Sequence, residues 1–323
     1  MSLTDDLLSS PIVLTEGAVL ERIRRDGRVP LHPILEHAGF VKDPSGRSCL
    51  EIIYREYIDI GQKYNLPMLV GTPTWRANRD RTSAAGVSCQ QLNMECARFL
   101  INIRETYGVY GSRILISGLT GCKGDSYGAD ESLSREQART FHAEQVEALA
   151  ASGVDLLFAA TLPAVDEAEG IAMAMEATGL PYVISFVTGG DGSVLDGTPL
   201  QDAILAIDGC VGRKPIGFMV NCVHPSPFRK TFQKTMIHSP GAASRVFGLQ
   251  ANTSPRSPSE LDGLPYLETE DPSVLADSMI RLHEDFGLKV LGGCCGTDGR
   301  HITQLALRMA KLSHEANDGR LFV

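Results

Sequence analysis

The sequence has no apolar run long enough to cross a bilayer. Its opening residues, Met1-Ser-Leu-Thr-Asp-Asp-Leu7, lack the basic flank and apolar core of a secretory leader. Neither a membrane partner nor export is expected. Positive charge is in deficit: 30 Lys and Arg, scattered along the chain, stand against 39 Asp and Glu, for a net charge of -9. That balance argues against nucleic acid or an anionic membrane surface as partner. The eight cysteines of the 323-residue chain lack the spacing of a disulfide framework, which points to a reducing, cytoplasmic compartment. The glycine-rich stretch Leu119 to Ala129 has neither dinucleotide-binding nor P-loop spacing, so it reads as a mobile binding loop and not as a nucleotide site. No linker-like composition divides the chain, and one domain over residues 1–323 is expected.

What is present is an alternation of strands and helices. Short apolar runs begin near residues 11, 66, 113, 154, 182, 216, 246 and 289, and each reads as a buried strand. Helical periodicity fills most of the intervals, as over Ser48 to Tyr64, Ser88 to Tyr107, Ser134 to Ala151 and Val165 to Thr178. Further helices are expected near 200–210, 228–236 and 273–286, and residues 24–47 read as a long loop with one helical turn. Eight such units fit a single (β/α)₈ TIM barrel, an α/β fold whose active-site face is formed by the C-terminal ends of the strands. An open doubly wound sheet would require a glycine fingerprint after an early strand, and the first strand carries none.

Two of the strand ends carry chemistry. Lys289-Val-Leu-Gly-Gly-Cys-Cys-Gly-Thr-Asp-Gly-Arg-His301 places the vicinal pair Cys294 and Cys295 just past the last strand. Gly217-Phe-Met-Val-Asn-Cys-Val-His-Pro225 places Cys222 just past the sixth. Three thiolates could share one soft or borderline metal ion, zinc first, because it takes sulfur at about 2.3 Å in tetrahedral geometry. The alternatives are three small buried hydrophobes or a strained vicinal disulfide. His224 and His301 flank the cysteines and stay outside the expected ligand set, as ordinary exposed loop histidines.

These two cysteine stretches resemble the zinc-ligand signatures of the homocysteine S-methyltransferase family. The similarity extends through His142-Ala-Glu-Gln-Val-Glu-Ala-Leu-Ala-Ala-Ser-Gly-Val-Asp155 and Ile184-Ser-Phe186 to Asp196-Gly-Thr-Pro199. The resemblance implies a barrel enzyme that binds Zn²⁺ through Cys222, Cys294 and Cys295 and methylates a thiol at that metal. It also implies substrate contacts at Glu16 and Gly17 after the first strand, at Thr72, Thr74 and Trp75 after the second, and at Asn221. The sequence departs from the family at Ala160, where the family carries a glutamate for the amino group of homocysteine. The expected acceptor is therefore homocysteine or a related thiol, and the expected donor a small sulfonium or betaine. A non-catalytic zinc- or thiol-binding barrel and a zinc hydrolase on the same fold are the alternatives, and the composition is compatible with a homo-oligomer.

Overall fold

The computed structural model describes residues 10–256, 260 and 267–318. Eight parallel strands close into one barrel in sequence order. They are β1 (Val13–Thr15), β2 (Met68–Gly71), β3 (Ile114–Thr120), β4 (Leu156–Leu162), β5 (Tyr182–Phe186), β6 (Gly217–Val223), β7 (Val246–Ala251) and β8 (Val290–Gly293). Closure joins the two ends of the chain: Val13 registers with Val290 and Leu14 with Leu291. One major helix follows each strand, giving α1 (Pro44–Lys63), α2 (Cys89–Glu105), α3 (Arg135–Ala150), α4 (Val165–Ala177), α5 (Leu200–Cys210), α6 (Pro225–His238), α7 (Pro272–Phe286) and α8 (Gly299–Asp318). Among the described residues no helix is long and apolar enough to cross a membrane.

Strand alternation builds two apolar layers. Val13, Leu69, Leu115, Leu156, Phe158, Val183, Met219 and Val290 point inward and fill the barrel. Their neighbours Leu14, Val70, Ile116, Leu157, Ile184, Val220 and Leu291 point outward and join the helices in a larger core. This two-sided burial explains why the strands read as continuous apolar runs.

The elements differ from the sequence reading mainly at their ends. α1 begins at Pro44, not near Ser48, because the Asp43 carboxylate accepts from Gly46 N at 2.6 Å and Pro suits the first turn. Residues 24–47 contain the end of a short helix, Leu20–Asp26, and a 3₁₀ helix, His37–Lys42. β4 runs to Leu162 and β6 to Val223, so Cys222 lies inside β6 and not past it. Both strands contain a shift of register.

Candidate active site

The barrel mouth holds a cavity of about 560 Å³ lined by Glu16, Gly17, Thr72, Trp75, Arg76, Tyr127, Phe158, Ala160, Thr161, Asn221, all three signature cysteines and the rim of neighbouring loops. Regular alternation would send Cys222 outward, since Met219 faces in and Val220 faces out. A left-handed backbone at Cys222, φ 58°, breaks that rule. Asn221 and Cys222 then both face the cavity, and Val223 returns to the outer core. β4 does the same at Thr161, φ 60°: Ala160 and Thr161 both face the cavity and Leu162 lies outside.

One side chain ties the two irregular strand ends together. The Asn221 Oδ1 accepts from Thr161 N at 2.9 Å and from Ser185 Oγ at 2.7 Å, and its Nδ2 donates to Thr161 Oγ1 at 2.5 Å. Asn252 Nδ2 donates to Cys222 O at 2.9 Å. Asn221 is thus a clasp across β4, β5 and β6, its amide oxygen spent on protein partners.

Cys294 and Cys295 leave β8 in a tight turn. Cys294 N donates to Ala251 O at 2.7 Å, Thr297 N and Oγ1 return to Cys294 O, and Gly296 adopts φ 84°, which favours glycine. The result is three free thiols whose Sγ atoms all lie within 4.8 Å of one another, with Cys222 and Cys294 at 2.6 Å. Their protons are shared unequally. Cys222 is held well below the ordinary thiol range because Cys294 and Cys295 donate to it. Cys294 is raised by that same donation, and Cys295 is pushed up to about 12. A bound cation would favour all three as thiolates.

Tyr127 comes from the glycine-rich stretch after β3 and reaches the cluster, its hydroxyl 3.4 Å from Cys222 Sγ and 3.8 Å from Cys295 Sγ. Its phenol is raised well above its ordinary range, first by the charge at Cys222 and then by burial. The stretch is pinned below. Glu167 accepts from Lys123 N at 2.7 Å and from Leu133 N at 3.4 Å, and the buried His142 ring meets the same carboxylate at 2.9 Å. The expected mobile loop therefore has both feet on one acid.

The opposite wall is made of oxygens. Glu16 follows β1 directly; its Oε1 accepts from Gly71 N at 3.0 Å and its Oε2 is buried without a partner. Burial lifts this carboxyl from 4.5 to about 7, against the pull of the Gly71 bond. Gly17 permits a close approach, since a Cβ there would sit 2.8 Å from Tyr57 Oη and 2.9 Å from Thr297 Oγ1. Thr72 lines the cavity, but its hydroxyl serves Leu119 N and pairs with Thr74 Oγ1 at 2.7 Å. Thr74 does not line it and donates to Leu119 O. His224 and His301 are buried, which corrects their reading as exposed. His224 caps α6 through Ser226 N and meets Glu270, and His301 is held by Asp298. Neither joins the sulfurs among the described residues.

Sequence reasoning missed Tyr127, Arg76, Thr161 and Ser185. Tyr127 had a signal, as the one aromatic in the glycine-rich stretch. Thr161 and Ser185 had none, because their roles arise from a kink and a cross-strand bond.

The profile of the homocysteine S-methyltransferase family matches residues 13–309. The chain belongs to that family. Among its relatives, Homocysteine S-methyltransferase of Escherichia coli (strain K12) is 27% identical over 255 residues, covering 73% of this chain and 76% of the relative. Homocysteine S-methyltransferase YbgG of Bacillus subtilis (strain 168) is 26% identical over 214 residues, 63% of this chain and 60% of the relative. The fold is shared with crystal structures of the homocysteine methyltransferase MmuM from Escherichia coli. Its metallated form superposes with a TM-score of 0.76 at 21% identity, over 95% of this chain and 99% of that one. Its oxidized form gives 0.76 at 22% identity, over 95% and 100%. Membership in this family makes the chain a methyltransferase.

Proposed function

We propose that this methyltransferase is zinc-dependent and moves a methyl group from a small sulfonium or betaine donor to a thiol, homocysteine or a related compound. The observation that carries this reading is the convergence of Cys222, Cys294 and Cys295 within 4.8 Å at the wall of the barrel-mouth cavity. Tetrahedral zinc would set its sulfur ligands about 3.8 Å apart, so the cluster fits with small side-chain shifts. An all-sulfur donor set favours zinc over ions that prefer oxygen. When bound there, zinc would supply the positive charge that keeps an acceptor thiol in its thiolate form near neutral pH.

The chain's own residues do the rest. Asn221 braces the strand end that aims Cys222 inward, and the Tyr127 hydroxyl lies against the sulfurs of Cys222 and Cys295. Phe158, Leu119 and Trp75 give the cavity apolar walls. Glu16 offers one unpaired carboxylate oxygen to a polar group of the acceptor. Such walls hold two reactants in line, and orientation of this kind supplies several kcal/mol of barrier reduction. In the transfer a sulfur lone pair forms the new S–C bond while the donor's C–S or C–N bond breaks, and the donor leaves as a neutral sulfide or amine. With homocysteine as acceptor the product is methionine, which would place the reaction in methionine biosynthesis. Free thiols at the site suit a reducing, cytoplasmic setting.

The test is metal content of protein purified under reducing conditions, beside Cys294→Ser, followed by a screen of thiols against methyl donors. About one zinc per chain, its loss in the variant and methyl transfer by the parent are expected. No zinc after anaerobic reconstitution would overturn the reading.

A further inference from the structure

Three arginines line the cavity, and their partners set one of them apart. Arg24 is paired with Glu36 at 2.9 Å, and Arg25 with Glu21. Arg76, only 8% exposed, has no carboxylate partner among the described residues. None of the acids that share the cavity bonds to it. Glu268 meets Arg256 at 3.3 Å, Asp125 accepts from Tyr127 N at 3.1 Å, and Glu16 accepts from Gly71 N. Arg76 itself donates from Nη1 to Gly124 O at 2.5 Å and Cys122 O at 3.5 Å, and from Nη2 to Ser126 Oγ at 3.5 Å. Its Nε has no acceptor. Carbonyl dipoles satisfy part of the guanidinium fork, and no described carboxylate pairs with its charge; a buried charge without a counter-charge is costly.

The guanidinium is also held in place for a ligand. Its carbon stacks 4.2 Å from the Trp75 ring centroid, and Trp75 Nε1 reaches Ala160 O at 3.4 Å. That fixes the group at the β2–β4 side of the cavity, beside a wall of Ala160 and Phe158 that carries no acid. The loop it anchors at Gly124 and Ser126 is the one that brings Tyr127 to the sulfurs. A molecule whose reactive end lies at the cysteines therefore shares its cavity with a planar cation that has no carboxylate partner among the described residues.

We propose that Arg76 forms a carboxylate-binding subsite, so that one of the two reactants is recognised through an acid group. The inference rests on the methyltransferase reading for the identity of the ligands, but not for the existence of the subsite. The carboxylate belongs to the thiol acceptor or to the methyl donor, and binding distinguishes them. Calorimetry on the full chain compares 3-mercaptopropionate with 3-mercaptopropan-1-ol, and glycine betaine with choline. The acid is expected to bind about tenfold or more tightly than its neutral or carboxylate-free analogue in one pair, and that pair names the source. Arg76→Gln should bring the ratio to within about twofold, and Arg76→Lys should keep part of it, since Lys retains the charge without the fork.

Ratios near one in both wild-type pairs, no binding of either acid at millimolar concentration, or an unchanged ratio in Arg76→Gln would overturn the proposal. Should Arg76→Gln fail to fold, the wild-type ratios and Arg76→Lys decide it. Cys294→Ser separates this reading from the previous one. A protein without metal loses the methyltransferase assignment, whereas an acid preference in the betaine–choline pair stays readable.

Discussion

The two sides of the barrel mouth are built by different rules. On the β1–β2 side the cavity residues Glu16 and Thr72 stand one position past the strands, off the inward parity of Val13 and Leu69, and neither has a left-handed backbone. On the β4–β6 side each strand admits one left-handed residue, Thr161 or Cys222, and two consecutive side chains face inward. The same backbone device delivers a hydroxyl to a clasp in one strand and a sulfur to a cluster in the other. Glu16 and Thr72 are placed by the turns that follow their strands; Thr161 and Cys222 are placed by a break within theirs. Non-glycine residues in that conformation cost of order 1 kcal/mol each, so the surrounding bonds must hold them.

The most damaging way to test that contrast is to remove what the β6 kink delivers. Cys222→Ser should take away one of three ligands from a zinc site worth roughly 10 kcal/mol, about 3 kcal/mol or a hundredfold or more in affinity. Chelator competition reads the loss; unchanged zinc affinity would mean that the kink serves packing alone.

The β1–β2 side is sharpened by pH. The Glu16 carboxyl is raised from 4.5 to about 7 by burial. Below pH 4.5 it is protonated in the folded and unfolded chains alike. As pH rises from 4.5 to about 7 the unfolded chain releases the proton first, so folding stability falls by about 3 kcal/mol in total and is constant above. Glu16→Gln stays neutral and should lack this slope. Urea melts at pH 5 and pH 7.5 on both proteins check it, and equal slopes would refute the burial argument.

Cutting the clasp comes next. Asn221→Ala leaves Thr161 N and Ser185 Oγ without their acceptor inside the barrel, at a cost of about 2 kcal/mol. It should also lower zinc affinity about tenfold, because the support that orients a ligand is gone. A fall in stability with no change in zinc affinity would confine the clasp to a structural role. The smallest effect is expected from Thr161→Val, which keeps shape and kink and removes only the Oγ1 acceptor, about 1 kcal/mol by thermal melt.

The same contrast decides how much was legible in the sequence. The barrel was, because inward and outward layers are both apolar and each strand stands out as a run. Cys222, Cys294 and Cys295 were singled out by adjacency, glycines and strand ends. Glu16 was expected at the end of the first strand and stands there. The kinks at Thr161 and Cys222 were not legible, since neither is a glycine and nothing local forces a positive φ. Asn221 was read as a substrate contact or as a side chain satisfying backbone at its strand end; it lines the cavity and braces Thr161 and Ser185, partners 60 and 36 residues away that no local pattern could show. Arg76 stood beside Trp75 with no sign that it would be buried without an acid.

Closure of the barrel has a consequence for the order of events during synthesis. β1 finds its second neighbour only in β8, so contacts of the greatest sequence separation are the last to form. Cys222 leaves the ribosome 72 residues before Cys294, yet the three sulfurs cannot meet until β8 has slotted between β7 and β1. Assembly of the cluster is therefore a signal that the whole ring is shut. A nascent chain halted before β8 would carry one lone thiol in an open curl of strands, and only the finished molecule has a place for three.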